Sequence, residues 1–190
     1  TNWKKIYYLA KKFNLKIIED SADTIGGSHY RLKSFKSDIL TSSFYGSHMV
    51  TFGGIGGVVL TNNKKLYQKQ KLIREWGRRS SLIKNDKHPE RFNFKINKKL
   101  PYDQMFVFDE IGSNYLLPEI CAAFGYQQLK KINSFIKIRK SNFAYYLKKI
   151  IEMKEYFIIP KIKYSENVVW LSFPLILKKN DTSLRINLQK

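Results

Sequence analysis

Four residues in the first quarter of the chain have side chains suited to acid–base and ligand-binding chemistry. Asp20 and Asp23 follow the short apolar run 15–18. Ser43 and His48 follow a second apolar run. Histidine moves protons near neutral pH. Taken singly, each residue also has an ordinary structural role, because acids and serines form caps and turns, and a lone histidine is more often a packing or surface residue.

Metal and disulfide chemistry have little support. The chain has one cysteine, Cys121, so it cannot form a disulfide framework or a Cys-based zinc or iron–sulfur site within itself. This usage fits a reducing compartment. His29 and His88 have no further potential ligand at a zinc spacing. We therefore predict no metal site.

The elements that must position Asp20 and Asp23 come at the start of the chain. Apolar residues at helical spacing predict a helix over 2–13, with Asn2 as its N-cap. The run from Leu15 to Ile18 predicts a buried strand that ends at Glu19 and Asp20. A helix followed by such a strand is half of a βαβ unit. Ligands bind in such sheets just beyond the carboxyl ends of the strands.

The next elements position Ser43 and His48. Ile39 to Tyr45 predicts a second strand, and the glycine cluster Gly53–Gly57 precedes a third at Val58 to Leu60. An amphipathic helix is predicted from Lys64 to Trp76, and Gly77 ends it. Residues 78–110 are polar and irregular. We expect this segment to form an ordered excursion or lid, because it contains four phenylalanines that require burial: Phe92, Phe94, Phe106 and Phe108.

The C-terminal third predicts two helices and two strands. Pro118 is suited to the first position of a helix that runs to about Ile132. A second helix is predicted from about Phe135 to Ile151. Tyr156 to Ile159 and Val168 to Leu177 are typical of strands in a different unit.

Composition argues against a membrane or secreted protein and leaves one rival function. No apolar stretch approaches the roughly 18 residues that span a bilayer, and no apolar signal core follows the N-terminus, so a cytoplasmic protein is expected. The net charge of +20 is compatible with a nucleic-acid-binding module. We favour no nucleic-acid partner, because the cations are mostly lysines spread along the chain.

Several segments, in order along the chain, resemble the DegT/DnrJ/StrS sugar aminotransferase family. Any one of them alone would be weak, but together they cover nearly the whole chain. The segments are Glu19 to Asp23, Ser43 to His48, the glycine cluster, Arg74 to Arg78, Ile111 to Tyr115, Glu119 to Leu129 and Arg139 to Phe143.

The resemblance implies an α/β fold, that of the PLP-dependent transferases related to aspartate aminotransferase. Residues 1–133 would be part of the large cofactor-binding domain with its mixed sheet. Residues 134–190 would be a connecting helix and the first part of the small C-terminal domain. The family's phosphate-cradling loop should lie before Thr1 and most of the small domain after Lys190, so the chain resembles a fragment. The resemblance also implies a homodimer that shares its active sites.

The resemblance also implies roles for four binding residues. Asp20 matches the acid that pairs with the pyridine nitrogen of pyridoxal or pyridoxamine 5′-phosphate, where a carboxylate keeps the ring an electron sink. Ser43 matches the hydroxyl that holds the cofactor phosphate. Asn114 matches the residue that reaches the phosphate of the partner subunit. Asp23 stands beside the ring oxygen, where the aminotransferases often have Gln or His.

One departure determines the reaction that the resemblance implies. In the aminotransferases, the residue five positions after this serine is the lysine that binds the cofactor covalently, and here it is His48. An imidazole cannot form that link, but it can move protons. Histidine there, together with Asp23, resembles the nucleotide-sugar 3-dehydratases, which act on a nucleotide-linked 4-keto-6-deoxyhexose. His48 would be the catalytic base.

Two alternatives within the family remain. A sugar aminotransferase needs a lysine at the cofactor, and Lys33 and Lys36 are out of register. One branch of dehydratases uses an iron–sulfur cluster, whose ligands Cys121 alone cannot supply. If the protein is a dehydratase, the resemblance therefore implies the cluster-free branch, which recharges its cofactor from glutamate. The glycine cluster is one residue longer than the family's usual Gly-Glu-Gly-Gly and lacks its glutamate.

Overall fold

The computed structural model describes residues 2–27, 35–83, 85–159, 168–179 and 181–189, with no side chains for 85–88. The chain divides into two compact units, each built from three segments. The first unit consists of Thr1–Glu19, Lys36–Thr41 and Val59–Ile120; the second consists of Asp20–Phe35, Ser42–Val58 and Cys121–Lys190. None of the helices in these described ranges is long and apolar enough to span a bilayer.

The first helix forms as the sequence predicts, and the first strand begins later. Helix α1 spans Trp3–Lys12, and Asn2 caps it by accepting a hydrogen bond from the Lys5 N–H. Strand β1 spans Ile18–Asp20, so the predicted end at Glu19 and Asp20 is confirmed, and the predicted start at Leu15 was wrong. The chain is still leaving the helix at that point, because Asn14 has a φ of 51° and the Leu15 N–H bonds back to Ala10.

Strands β2 (Ile39–Ser43) and β3 (Gly57–Leu60) complete a three-stranded sheet in the order β1-β2-β3. The predicted second strand ran two residues further. The observed strand ends at Ser43; beyond it, the Phe44 N–H donates to the Gly56 carbonyl, and the Phe44 carbonyl accepts from the Phe52 N–H. Three residues of the glycine cluster have positive φ angles, which side chains with a Cβ adopt at a cost: Gly53, Gly54 and Gly56.

Helix α2 spans Lys64–Arg74 and ends two residues before the predicted position. Asn63 caps it by accepting hydrogen bonds from the N–H groups of residues 65 and 66. Trp76, with a φ of 58°, and Gly77, with a φ of 85°, carry the chain out of the helix. Gly77 is the predicted terminator, and its position is confirmed.

The described part of the predicted excursion 78–110 contains short regular elements, but three of its four phenylalanines are not buried as expected. It contains the 3-10 helices Arg79–Leu82, Asn85–Phe92 and Gln104–Phe106, and an antiparallel pair, β4 (Phe94–Ile96) and β5 (Leu100–Tyr102). The expectation of burial was wrong for three rings, whose exposures are 54%, 62% and 56%: Phe92, Phe106 and Phe108. Guanidinium groups cover several rings instead of an apolar core, as where Arg79 lies 4.5 Å from the centroid of Phe94.

The C-terminal part is helical. Helix α3 spans Glu119–Lys130 and α4 spans Ile132–Glu152, close to the predicted pair. The strands predicted at 156–159 and 168–177 were wrong: the described part of that region holds one isolated bridge, between Phe157 and Leu177. A short helix α5, Thr182–Leu188, was not predicted.

Candidate functional site

The ends of β1 and β2 lie side by side in the second unit. The hydroxyl of Ser42 donates a hydrogen bond to the carbonyl of Ser21 over 3.1 Å, and both serines are buried. Successive strand residues point to opposite faces, and the burial patterns place Asp20 and Ser43 on the more exposed face of the sheet. The two predicted binding residues therefore share one face.

Asp20 and Ser43 retain polar groups for a ligand. One carboxylate oxygen of Asp20 accepts a hydrogen bond from the Ala22 N–H over 3.1 Å, and the residue is exposed. The hydroxyl oxygen of Ser43 accepts a hydrogen bond from the Tyr45 N–H over 3.3 Å. That bond uses a lone pair and leaves the hydroxyl proton to be donated.

His48 and Asp23 are brought into direct contact. His48 ends a turn in which its N–H donates to the Tyr45 carbonyl over 3.0 Å. Its Nδ1 lies 2.9 Å from Asp23 Oδ1, and its side chain is 15% exposed. Nδ1 is buried, and the carboxylate lies off the direction of an aligned hydrogen bond, so the contact is electrostatic in character. Of the predicted site residues, this pair is the one with a direct side-chain contact.

Helix α4 packs against the loops that carry this pair. Gly26 has a φ of 85°, and a Cβ built there would stand 2.8 Å from Met49 Cε and 2.9 Å from Ile136 Cγ1. Gly26 therefore permits close approach of three segments: the loop after Asp23, the residue after His48 and the first turns of α4. The loops are further anchored by a buried apolar cluster: Ile25, Phe44 and Val50.

A cavity of about 10 Å³ separates the Asp23–His48 pair from Arg139, Trp170 and Leu171. A volume of that order holds at most one water molecule. His48 lines this small space, and its Nδ1 is buried. Any larger ligand must approach from the open side of the site.

A second cavity, of about 550 Å³, shares part of its lining with the first, and we call this shared lining the wall. Four residues line both cavities: Met49, Arg139, Trp170 and Leu171. The Trp170 ring stacks on Phe143 of α4, with centroids 4.9 Å apart and planes 9° apart. The wall is therefore held to α4 through an aromatic contact.

Arg139 also holds this wall, a role that the sequence did not predict. Its Nη1 donates hydrogen bonds to the Trp170 carbonyl over 3.2 Å and to the Leu171 carbonyl over 2.8 Å. One signal was present, because Arg139 is the single arginine of a helix whose other cations are lysines. An arginine fork holds two carbonyls in a way that a lysine does not.

Asn114 lies in the first unit, so its surroundings are described there alone. Its side-chain oxygen accepts a hydrogen bond from the Leu116 N–H over 3.3 Å, and its backbone pairs with Glu75. The residue is exposed. Asn114 is thus held in a turn beside the segment that leaves α2.

The remaining candidates add little to the site. Among the described residues, no group of three or more His, Cys, Asp or Glu side chains could hold a metal ion. His29 and Lys33 lie outside the described residues, as does the side chain of His88. Lys36 is exposed and precedes β2.

A family model matches residues 2–190, that of the DegT/DnrJ/EryC1/StrS aminotransferase family. The chain is 29% identical to the lipopolysaccharide biosynthesis protein RfbH of Salmonella typhimurium, over all of this chain and 44% of that protein. It is 32% identical to dTDP-4-dehydro-2,6-dideoxy-D-glucose 3-dehydratase of Saccharopolyspora spinosa, over 73% of this chain and 30% of that protein. It is 35% identical to GDP-perosamine synthase of Escherichia coli O157:H7, over 78% of this chain and 34% of that protein.

Solved structures support the fold expected from the resemblance. The E. coli GDP-4-keto-6-deoxy-D-mannose-3-dehydratase with bound hydrated PLP matches 99% of this chain with a TM-score of 0.74 and 22% identity. The chain covers 46% of that structure. The α/β fold of PLP-dependent transferases is therefore confirmed, and the chain spans less than half the length of the proteins it matches.

Proposed function

The chain belongs to the DegT/DnrJ/EryC1/StrS aminotransferase family, and from that premise we propose that it is part of a pyridoxal- or pyridoxamine-phosphate enzyme acting on nucleotide-linked sugars. The reaction that we propose is removal of the 3-hydroxyl of a 4-keto-6-deoxyhexose. The name of the 32% identical relative, a sugar 3-dehydratase, supports this substrate class. The name of the 29% identical relative supports a place in lipopolysaccharide or related polysaccharide synthesis.

The observation that carries the proposal is the 2.9 Å contact between His48 Nδ1 and Asp23 Oδ1. The negative charge beside Nδ1 favours the tautomer with its proton on Nδ1. Nε2 is then the atom that accepts and returns a proton. An oriented histidine is what a proton-transfer step needs, and it cannot replace the lysine of a transaminase.

The binding residues fit the cofactor in chemical type. Asp20 offers an exposed carboxylate for a protonated ring nitrogen, and Ser43 has a hydroxyl proton to donate to a phosphate. The small cavity beside His48 excludes the ring, so the cofactor would lie on the exposed face that Asp20 and Ser43 share. When bound, the cofactor supplies an electron sink next to the reacting sugar carbons.

The residues of this chain then have distinct tasks. Asp20 would keep the ring nitrogen protonated, and Ser43 would anchor the phosphate. His48 would take up at Nε2 the proton released from C4′ of the cofactor and would return it to the 3-hydroxyl, which leaves as water. Asp23 would stabilise the imidazolium so formed, since its charge lies beside Nδ1. Asn114 would reach the phosphate of the partner subunit.

Three further features of the whole protein belong to this proposal. It would be a homodimer, its cofactor would be recharged from glutamate, and its domains would meet near residue 133. Mass measurement of the whole protein in solution tests the dimer: twice the mass of one chain is expected.

An aminotransferase of the same family is the second candidate, favoured by the 35% identical GDP-perosamine synthase. It would require a covalent lysine link to the cofactor. Borohydride reduction after loading with pyridoxal phosphate separates the candidates, because it fixes a lysine-bound cofactor to the protein. The wild-type chain should lose its cofactor on dialysis.

The matched control is His48→Lys, which restores an amine at that position and should retain the cofactor covalently after reduction. Stoichiometric covalent labelling of the wild-type chain would instead support the aminotransferase. If neither protein retains cofactor, residue 48 does not lie at the cofactor ring.

A further inference from the structure

Arg139 lies on the face of α4 that packs against the candidate catalytic loops. Ile136, one turn earlier, lies against Gly26, where a built Cβ would stand 2.9 Å from its Cγ1. Arg139 itself lines the small cavity beside His48. Because residues three apart share a helix face, Arg139 and Ile136 lie on the same side of α4.

The guanidinium holds a segment that has no sheet partner. Residues 168–173 form neither a strand nor a helix, so their carbonyls need other hydrogen-bond donors. Arg139 supplies two hydrogen bonds from one nitrogen, to the carbonyls of Trp170 and Leu171. The stack of Trp170 on Phe143 holds the same segment to the helix one turn further along.

This segment contributes residues to two adjoining cavities. The smaller, of about 10 Å³, is lined by His48, and the larger has a volume of about 550 Å³. Arg139, Trp170 and Leu171 line both. Loss of the two hydrogen bonds would free the segment and join the spaces, so that water would reach the Nδ1 side of the imidazole.

We propose that Arg139 is a positioning residue for His48: by holding Trp170 and Leu171 in place, it keeps water away from Nδ1 and keeps the imidazole directed by Asp23. A role of Arg139 in catalysis rests on the proposed function. Its effect on water access to His48 involves only His48, Asp23 and the wall. It can therefore be tested without cofactor or substrate.

The test follows the Nδ1 proton of His48 by NMR in the full chain labelled with 15N-histidine, with His48→Gln to assign the signal. In the wild-type chain this proton should exchange slowly with water. Arg139→Met, which keeps the length of the side chain but removes its donors, should speed exchange at least tenfold. Arg139→Lys keeps the charge and a donor, so it should restore part of the protection.

The matched control is Arg185→Met, the same chemical change on the exposed side of α5, which should leave the exchange unchanged. A folded Arg139→Met chain with wild-type exchange would overturn the proposal, as would a wild-type chain without a protected Nδ1 proton. If Arg139→Met does not fold, Leu171→Gly thins the same wall and should give the same acceleration; unchanged exchange there counts against the proposal.

Activity separates this inference from the proposed function. In an enzyme competent for dehydration, Arg139→Met should lower kcat about tenfold or more with little change in KM, because the sugar is not held by Arg139. If the exchange rates are as expected but the enzyme does not dehydrate the sugar, Arg139 is still a positioning residue and the proposed reaction is wrong.

Discussion

The ring of Phe52 packs against Gly125 so closely that a Cβ built on the glycine would stand 2.0 Å from Phe52 Cδ1. The same ring stacks on Phe44, with centroids 4.0 Å apart and planes 2° apart. Phe44 belongs to the buried cluster beside the turn that ends at His48. A glycine in α3 therefore permits the packing that supports that turn.

Gly125→Ala should destabilise the protein, although alanine is the better helix former. The gain in helix propensity is about 1 kcal/mol. Overpacking costs about 1–3 kcal/mol, and the stacked ring has little freedom to move, so we expect a net loss of up to about 2 kcal/mol. Urea unfolding measures the difference, and Phe52→Leu in the same chain should recover part of it. Gly46→Ala, whose Cβ would meet nothing nearer than 3.6 Å, is the neutral control.

Gly77→Ala should be more damaging, because two costs combine. Gly77 has a φ of 85°, and its Cβ would stand 1.7 Å from the Glu110 carbonyl oxygen, a backbone atom. Gly54 has a φ of 92° and no atom within 4 Å of its Cβ position, so Gly54→Ala measures the cost of the positive φ alone. We expect about 1 kcal/mol for Gly54→Ala and about 3 kcal/mol or more for Gly77→Ala. Equal losses in thermal unfolding would contradict the backbone clash.

The elements that the sequence predicted well are those whose signals are local. Asn2 caps α1 and Asn63 caps α2 through their own side chains, and Gly77 ends the second helix with a positive φ. The signal for α5 was also local, because Asp181 accepts a hydrogen bond from the Leu184 N–H. That cap was overlooked because the segment is polar.

The predictions that failed depended on partners distant in the chain. An apolar run such as 168–177 forms a strand only where a neighbouring strand completes its hydrogen bonds. Its carbonyls at 170 and 171 instead bind Arg139, more than 30 residues earlier. In the same way, the close approach of His48 to Asp23 depends on the fold. The family pattern placed both at the cofactor but did not predict their contact.

Asp38 should make stability depend on pH in the acid range. The backbone N–H of Ile17, which donates to the carboxylate over 2.9 Å, lowers the pKa of Asp38, and Lys16 adds to this effect. A carboxyl group whose pKa is lower in the folded state than in the unfolded state stabilises the folded state at pH values above the unfolded pKa of about 3.9. This contribution is lost as the pH falls below that value.

Asp38→Asn keeps an acceptor for Ile17 but removes the charge, so it should be less stable than wild type at pH 6, and the gap should shrink between pH 4 and 2. Urea unfolding across this range is the measurement. Lys16→Met is the control and should retain most of the pH dependence, because the backbone hydrogen bond is the larger cause. A gap that widens on acidification would contradict the assignment.

His48 and Asp23 should differ in how strongly they affect proton transfer. The assay follows loss of label from C4′ of pyridoxamine phosphate, incubated with the whole enzyme and its 4-keto sugar. His48→Gln removes the base and should slow label loss by about 10²–10⁴-fold. Asp23→Asn leaves Nε2 in place but removes the charge beside Nδ1, so it should slow label loss by about 10–100-fold. The control is Asp181→Asn, a change at the N-cap of α5, which should leave the rate near wild type.

An unchanged rate in His48→Gln would contradict a catalytic histidine. If label loss is slow in His48→Gln but normal in Asp23→Asn, His48 is the base and the carboxylate has no role. The 2.9 Å contact would then have no influence on the imidazole.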